Sequence, residues 1–151
     1  MNRKIANATP TIVEGVSFRS KLEARVYKYL LSKGIQPQYE IEKIHLWQRN
    51  KNSFSVPYYD KIGKTFKKIT SKPLDVTYTP DFIFEYNGWK VYLEVKGFKN
   101  DVVPYKIRLF RDWLERRKEA GERLCYAVIY TLKNIDYLLS ELSISKERIN
   151  L

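Results

Sequence analysis

The sequence predicts one α/β domain, and three observations carry that prediction. The stretch "YTPDFIFEYNGWKVYLEVKG" at 78–97 is rich in aromatic and β-branched residues and is divided by Asn87-Gly88. That dipeptide is the strongest short hairpin signal, because a type I′ turn needs positive φ at both central positions. "SKLEARVYKYLLSK" at 20–33 spaces Leu22, Val26, Tyr29 and Leu30 along one helical face, with Gly34 behind it as a C-cap. After the hairpin, Pro104 is suited to the first position of a second helix, and the apolar run "RLCYAVIY" at 123–130 follows.

The remaining elements fall between these. Residues 1–16 read as a flexible arm, since Pro10 and Gly15 break any period, and 17–151 read as a single domain. Gln38 to Trp47, including His45, reads as one strand. Residues 49–73 form a basic extended excursion turning at Ile62-Gly63, with Lys51, Lys61, Lys64, Lys67, Lys68 and Lys72 among Phe54, Tyr58, Tyr59 and Phe66. Leu74 to Tyr78 leads into the hairpin. Asp101 and Pro104 open the second helix, with Ile107, Phe110 and Leu114 on one side, and Gly121 ends it. The run 123–130 is expected to be a strand buried on both faces, and Ile135, Leu138, Leu139 and Leu142 a short terminal helix. The order is helix, three strands, helix, strand, helix.

Composition bounds the function. With 151 residues, 44% of them hydrophobic, the chain suffices for one core. A net charge of +11 and a pI near 9.6 point to a polyanionic partner. No apolar run is long enough to span a bilayer and the first 15 residues hold no signal-like apolar stretch, so a cytoplasmic protein without membrane association is expected. The single histidine excludes zinc fingers and His-dependent nucleophilic catalysis, and Cys125, inside an apolar run, reads as a small buried hydrophobe.

The hairpin raises the functional question. A two-residue loop pairs Tyr86 with Trp89, Phe84 with Val91 and Phe82 with Leu93, which sets Asp81 directly opposite Glu94. One face then holds Phe82, Phe84, Tyr86, Trp89, Val91, Leu93 and Val95 and is core, while the other holds Asp81, Ile83, Glu85, Lys90, Tyr92, Glu94 and Lys96. Opposed like charges repel, and a hard divalent cation reverses that sign. The alternative is a solvated polar face on which Lys96 neutralises Asp81 diagonally.

"FRSKLEARVYKYL" at 18–30, "YE" at 39–40, "YTPDF" at 78–82 and "EVKG" at 94–97 occur in an order that resembles the PD-(D/E)XK nuclease superfamily, closest to phage endonuclease I-type Holliday junction resolvases. The resemblance covers roughly 17–130. It implies a restriction-endonuclease-like α-β-β-β-α-β core, with a central mixed sheet flanked by helices. It also implies a metal-dependent endodeoxyribonuclease using Mg²⁺, with Mn²⁺ able to substitute, on branched DNA as a homodimer. Carried over residue by residue, the catalytic set is Glu23, Asp81, Glu94 and Lys96, with Glu23, Asp81, Glu94 and the Val95 carbonyl on the metal.

Other readings stand beside this one. Ser20 and Glu23 also make a capping box. Lys61, Lys64, Lys67 and Lys68 suit phosphates, as do Lys106, Arg108 and Arg111 on the second helix, but both sets also suit a solvated surface. A restriction-like or transposase-associated nuclease, or a noncatalytic DNA-binding module on the same fold, are the alternatives.

Overall fold

The computed structural model describes residues 10–51, 55–97 and 103–147. It is an α/β structure with a mixed central sheet and three helices. Strands β1 (Thr11–Val13) and β2 (Val16–Phe18) form a small hairpin ahead of helix α1 (Lys21–Ser32). The arm expected to run to residue 16 is therefore paired structure from Thr11 onward. Glu14-Gly15 takes the positive φ values its tight turn needs, and Val13 is buried in the main core. Residues 1–9 lie outside the described residues.

Helix α1 starts at Ser20, whose hydroxyl accepts the Glu23 N–H at 3.2 Å. It ends in a Schellman motif: Gly34 has φ 74°, its N–H donates to the Leu31 carbonyl, and the Ile35 N–H donates to that of Leu30. Leu30 and Ile35 are buried in one core, so the cap fixes where the chain leaves the helix.

The single strand expected over 38–47 is two. Strand β3 (Gln38–Tyr39) joins the central sheet, whereas β4 (Ile44–Trp47) pairs with β7 (Val76–Tyr78) in a separate ladder. The break is at Glu40, whose φ of 48° turns the chain away while its N–H bonds the Asp81 carbonyl at 3.0 Å. Between β4 and β7, strands β5 (Tyr59–Ile62) and β6 (Thr65–Lys68) form the expected excursion as a hairpin. Phe54, assigned to the same excursion, lies outside the described residues.

The central hairpin has the predicted register. Strands β8 (Phe82–Tyr86) and β9 (Trp89–Val95) pair Phe82 with Leu93, Phe84 with Val91 and Tyr86 with Trp89. Asn87 and Gly88 have φ 49° and 77°. Helix α2 (Val103–Arg117) carries the chain to β10 (Leu124–Ile129), which lies parallel to β9, and α3 (Leu132–Glu147) follows. The sheet order is β10-β9-β8-β3. Asp101, expected to help open α2, lies outside the described residues.

Three expectations are corrected here. The hairpin face expected to be polar is a second core, because Ile83 and Tyr92 are buried against Phe110 and Leu114 of α2. The first face packs Phe82, Phe84, Val91 and Leu93 against residues of α1 and α3. Strand β10 has apolar cover on both faces but only β9 beside it, so five of its six residues are only half-buried. Helix α3 is long, at 16 residues. No helix among the described residues is long and apolar enough to cross a membrane.

The turn at 87–88 sets the register on which everything downstream depends. A Cβ on Gly88 meets nothing closer than Arg123 Nη1 at 3.9 Å, so the penalty for Gly88→Val is conformational. It is expected to lower unfolding free energy by about 1–2 kcal/mol in urea titrations.

Candidate functional site

At the end of the central hairpin the sheet's second face changes from apolar to acidic. Asp81 directly precedes β8, and Glu94 lies one residue from the end of β9. The observed register, extended by one pair, sets them opposite each other. They are 2% and 6% exposed, which is unusual for carboxylates in a protein of net charge +11.

Burial of two carboxylates requires partners for four oxygens. Asp81 Oδ2 accepts the Val95 N–H at 2.7 Å, and Oδ1 accepts from Arg19 Nη2 at 2.8 Å. Glu94 Oε1 pairs with Lys96 Nζ at 2.6 Å, and Oε2 accepts the Tyr78 hydroxyl at 2.6 Å. Tyr126 lies 3.0 Å from that hydroxyl. Lys96 therefore neutralises Glu94, and the cation on Asp81 is Arg19, whose guanidinium also pairs with Glu40.

Glu23, on α1, is likewise buried at 7%. Its Oε1 accepts the Ser20 hydroxyl at 3.0 Å, while Oε2 accepts the Arg19 N–H at 3.2 Å and the Tyr39 hydroxyl at 2.5 Å. The capping role is thus realised, shifted so that the carboxylate bonds the amide one residue before the N-cap. Arg19 joins the set: its amide is on Glu23 and its guanidinium on Asp81. Four carboxylates, Glu23, Glu40, Asp81 and Glu94, here face two cations, Arg19 and Lys96.

Burial and this imbalance together shift the protonation of the site. Burial, reinforced by the charge of Glu94 and then Glu23, holds the Asp81 carboxyl above the usual carboxylate range, against the opposing pull of the Val95 amide and Arg19. Burial and the neighbouring Glu94 also push the Tyr78 phenol far up, and burial with the bond to Glu23 raises Tyr39 to about 12. Both tyrosines therefore stay protonated and serve as hydrogen-bond donors.

The structure brings Glu23, Asp81, Glu94 and Lys96 into one region, with Val95 bound through its amide to Asp81. Among the described residues, no three His, Cys, Asp or Glu side chains are drawn together closely enough to form a ready metal cluster. Asp81 and Glu94 are thus a two-carboxylate set. Lys106 is half-buried on α2, whereas Arg108 and Arg111 are exposed there; Arg108 lies over Tyr105 and Arg111 lines a shallow cleft with Tyr126. Lys61, Lys64, Lys67 and Lys68 are all exposed on the β5–β6 hairpin.

Nothing in the sequence alone assigns Arg19, Tyr78 or Tyr126 to the carboxylates. Arg19 precedes the capping serine, a position that carries no chemistry in a linear reading. The tyrosines read as ordinary aromatic strand residues.

Residues 3–126 match the family described as "Protein of unknown function (DUF1064)". The chain belongs to the DUF1064 family. No curated protein and no solved structure matches. The DUF1064 match takes in Arg19, Glu23, Glu40, Asp81, Glu94, Lys96 and Tyr126, and ends before α3.

A pH dependence follows from Asp81. With its folded-state value raised, the native state holds a proton that the unfolded chain releases near pH 4, so stability falls as pH rises from about 4 toward that raised value. In the presence of chelator, the urea midpoint is expected to decline between pH 5 and pH 8. Asp81→Asn should flatten the decline, and a wild-type midpoint that rises over this interval contradicts the assignment.

Proposed function

We propose that this chain is a metal-dependent endodeoxyribonuclease that hydrolyses DNA phosphodiesters, acting as a homodimer on branched DNA such as a four-way junction. The observation that carries this reading is the burial of Asp81 and Glu94 opposite each other, with Lys96 Nζ 2.6 Å from Glu94. Helix α1, the β8–β9 hairpin, helix α2 and the parallel strand β10 occur in the order that the PD-(D/E)XK resemblance implies, which supports it further.

The donor set fits a hard cation. It offers carboxylate oxygens and the Val95 carbonyl, without thiol or imidazole, and burial, with the charge of Glu94 added, drives Asp81 toward its neutral form. Mg²⁺ is commonly held by one or two carboxylates, with water and phosphate completing the shell. Asp81, Glu94 and the Val95 carbonyl would hold it, and Mn²⁺ fits the same donors. Glu23 would join by exchanging its Ser20 contact.

When bound, such an ion lowers the pKa of a coordinated water and offsets charge on the attacked phosphate. The side chains supply the rest. Lys96 spends one donor on Glu94 and has others for a phosphate oxygen or the attacking water. Tyr78 fixes the orientation of Glu94 through its Oε2 bond. Arg19 offsets the charge of Asp81 and Glu40, and its planar fork suits a phosphate oxygen once it leaves them. That neutralisation by Arg19 and Lys96 also favours a second reading, a noncatalytic DNA-binding module.

Cleavage separates the two readings. With Mg²⁺, a labelled four-way junction should be cut in preference to its linear duplex arms, and EDTA should stop the reaction. Asp81→Asn and Glu94→Gln should each lower the rate by about a hundredfold or more. Sequence-dependent cutting of the linear duplex would point to a restriction-like or transposase-associated nuclease. No cutting with Mg²⁺ or Mn²⁺ would favour the binding module.

Ion binding has its own readout. At a hundredfold excess over Kd, Mg²⁺ should raise Tm by roughly 5 °C or more. The shift should vanish in Asp81→Asn.

A further inference from the structure

All eight residues of β5 and β6 are exposed. Their register pairs Tyr59 with Lys68 and Lys61 with Phe66. Cross-strand partners and alternate residues share a face, so one face of this ribbon carries Tyr59, Lys61, Phe66 and Lys68. The other carries Asp60, Ile62, Thr65 and Lys67, and Lys64 sits in the turn.

On the first face the Tyr59 and Phe66 rings stack, with centroids 6.2 Å apart and planes 22° apart, yet the residues remain 53% and 72% exposed. Neither belongs to either hydrophobic core. Lysines alone would serve to discourage edge-to-edge sheet association, and that purpose does not explain two apolar rings between them. A lone two-stranded ribbon is also marginal in water, which makes so much exposed ring surface a liability unless it has an occupant.

The face has two flat rings alternating with two ammonium groups. A strand with unpaired bases is complementary to it, offering flat π-faces between phosphates. Bases within a duplex present only their edges. The ribbon is inserted in the chain between β4 and β7, and β7 ends at Tyr78, whose hydroxyl holds Glu94.

We propose that the Tyr59–Phe66 face of the β5–β6 ribbon is a stacking platform for unpaired DNA bases, with Lys61 and Lys68 on the flanking phosphates. This rests on the reading of the chain as a DNA-acting protein and extends it to unpaired bases, which branched DNA exposes at a flap or where pairs open at the branch point.

The test is binding by fluorescence anisotropy in EDTA, with a labelled single-stranded 20-nucleotide probe and a blunt duplex of equal length (probe length about one to several binding sites). Phe66→Leu, which keeps an apolar side chain but removes the ring, should weaken single-strand binding by roughly 5- to 100-fold and change duplex binding by less than about twofold. Phe66→Trp should retain it. Lys61→Ala should reduce the slope of log affinity against log salt by about 0.7 on the single strand. The proposal is overturned if Phe66→Leu binds like wild type, if its loss is equal on both probes, or if wild type binds neither. Because no metal is present, these results stand whatever the junction-cleavage assay gives, and a failure to cut does not alter them.

Discussion

The register of the β8–β9 hairpin is the constraint on which the rest of the structure depends. Two residues with positive φ, Asn87 and Gly88, close the turn with a fixed pairing. Side chains alternate along both strands, so a slip of one residue would move every large apolar group to the opposite face. The pairing places Phe82, Phe84, Val91 and Leu93 beneath α1 and α3, and Ile83 and Tyr92 beneath α2. It also brings Asp81 to Glu94, where the Val95 amide bonds to Asp81 and locks the end of the hairpin.

Burying carboxylates at that end is tolerated because each oxygen is individually satisfied. The solution is shared among elements distant in sequence: Arg19 before α1, Tyr78 on β7, the Val95 amide on β9 and Lys96 just beyond it. Removing any one partner would leave a buried acceptor unpaired, which is worse than never having buried it. Charge is less well matched than hydrogen bonding, since Arg19 and Lys96 answer four carboxylates. Burial, reinforced by the charge of Glu94 and Glu23, keeps Asp81 toward its protonated form.

The surface follows a different logic. The net charge of +11 is carried away from this acidic spot, with lysines crowding the β5–β6 ribbon and arginines lying along α2. The basic groups thus lie on exposed strand and helix surface, while the acids Glu23, Asp81 and Glu94 are buried. The ribbon adds the exposed rings of Tyr59 and Phe66 to that charge.

The strongest local signals survived into three dimensions because local chemistry enforces them. Asn87-Gly88 specified the hairpin and hence the meeting of Asp81 and Glu94, Gly34 specified the end of α1, and Ile62-Gly63 marked the β5–β6 turn. Even the cap that Ser20 offers to Glu23 was visible in the sequence. The sequence misled where a long-range contact overrules local pattern. Residues 38–47 divide because Glu40 bonds the Asp81 carbonyl, and the face expected to be polar is buried because α2 returns across it. The partners of the carboxylates were equally hidden: the hairpin register puts Lys96 near both acids, but the fold gives it to Glu94 and brings Arg19, 62 residues away, to Asp81. Sequence by itself determined which acids meet, since a tight turn and a period of two suffice for that. Only the tertiary structure decided how deeply they are buried and which cations and hydroxyls answer them, because desolvation and ion pairing depend on distance in space and not on position along the chain.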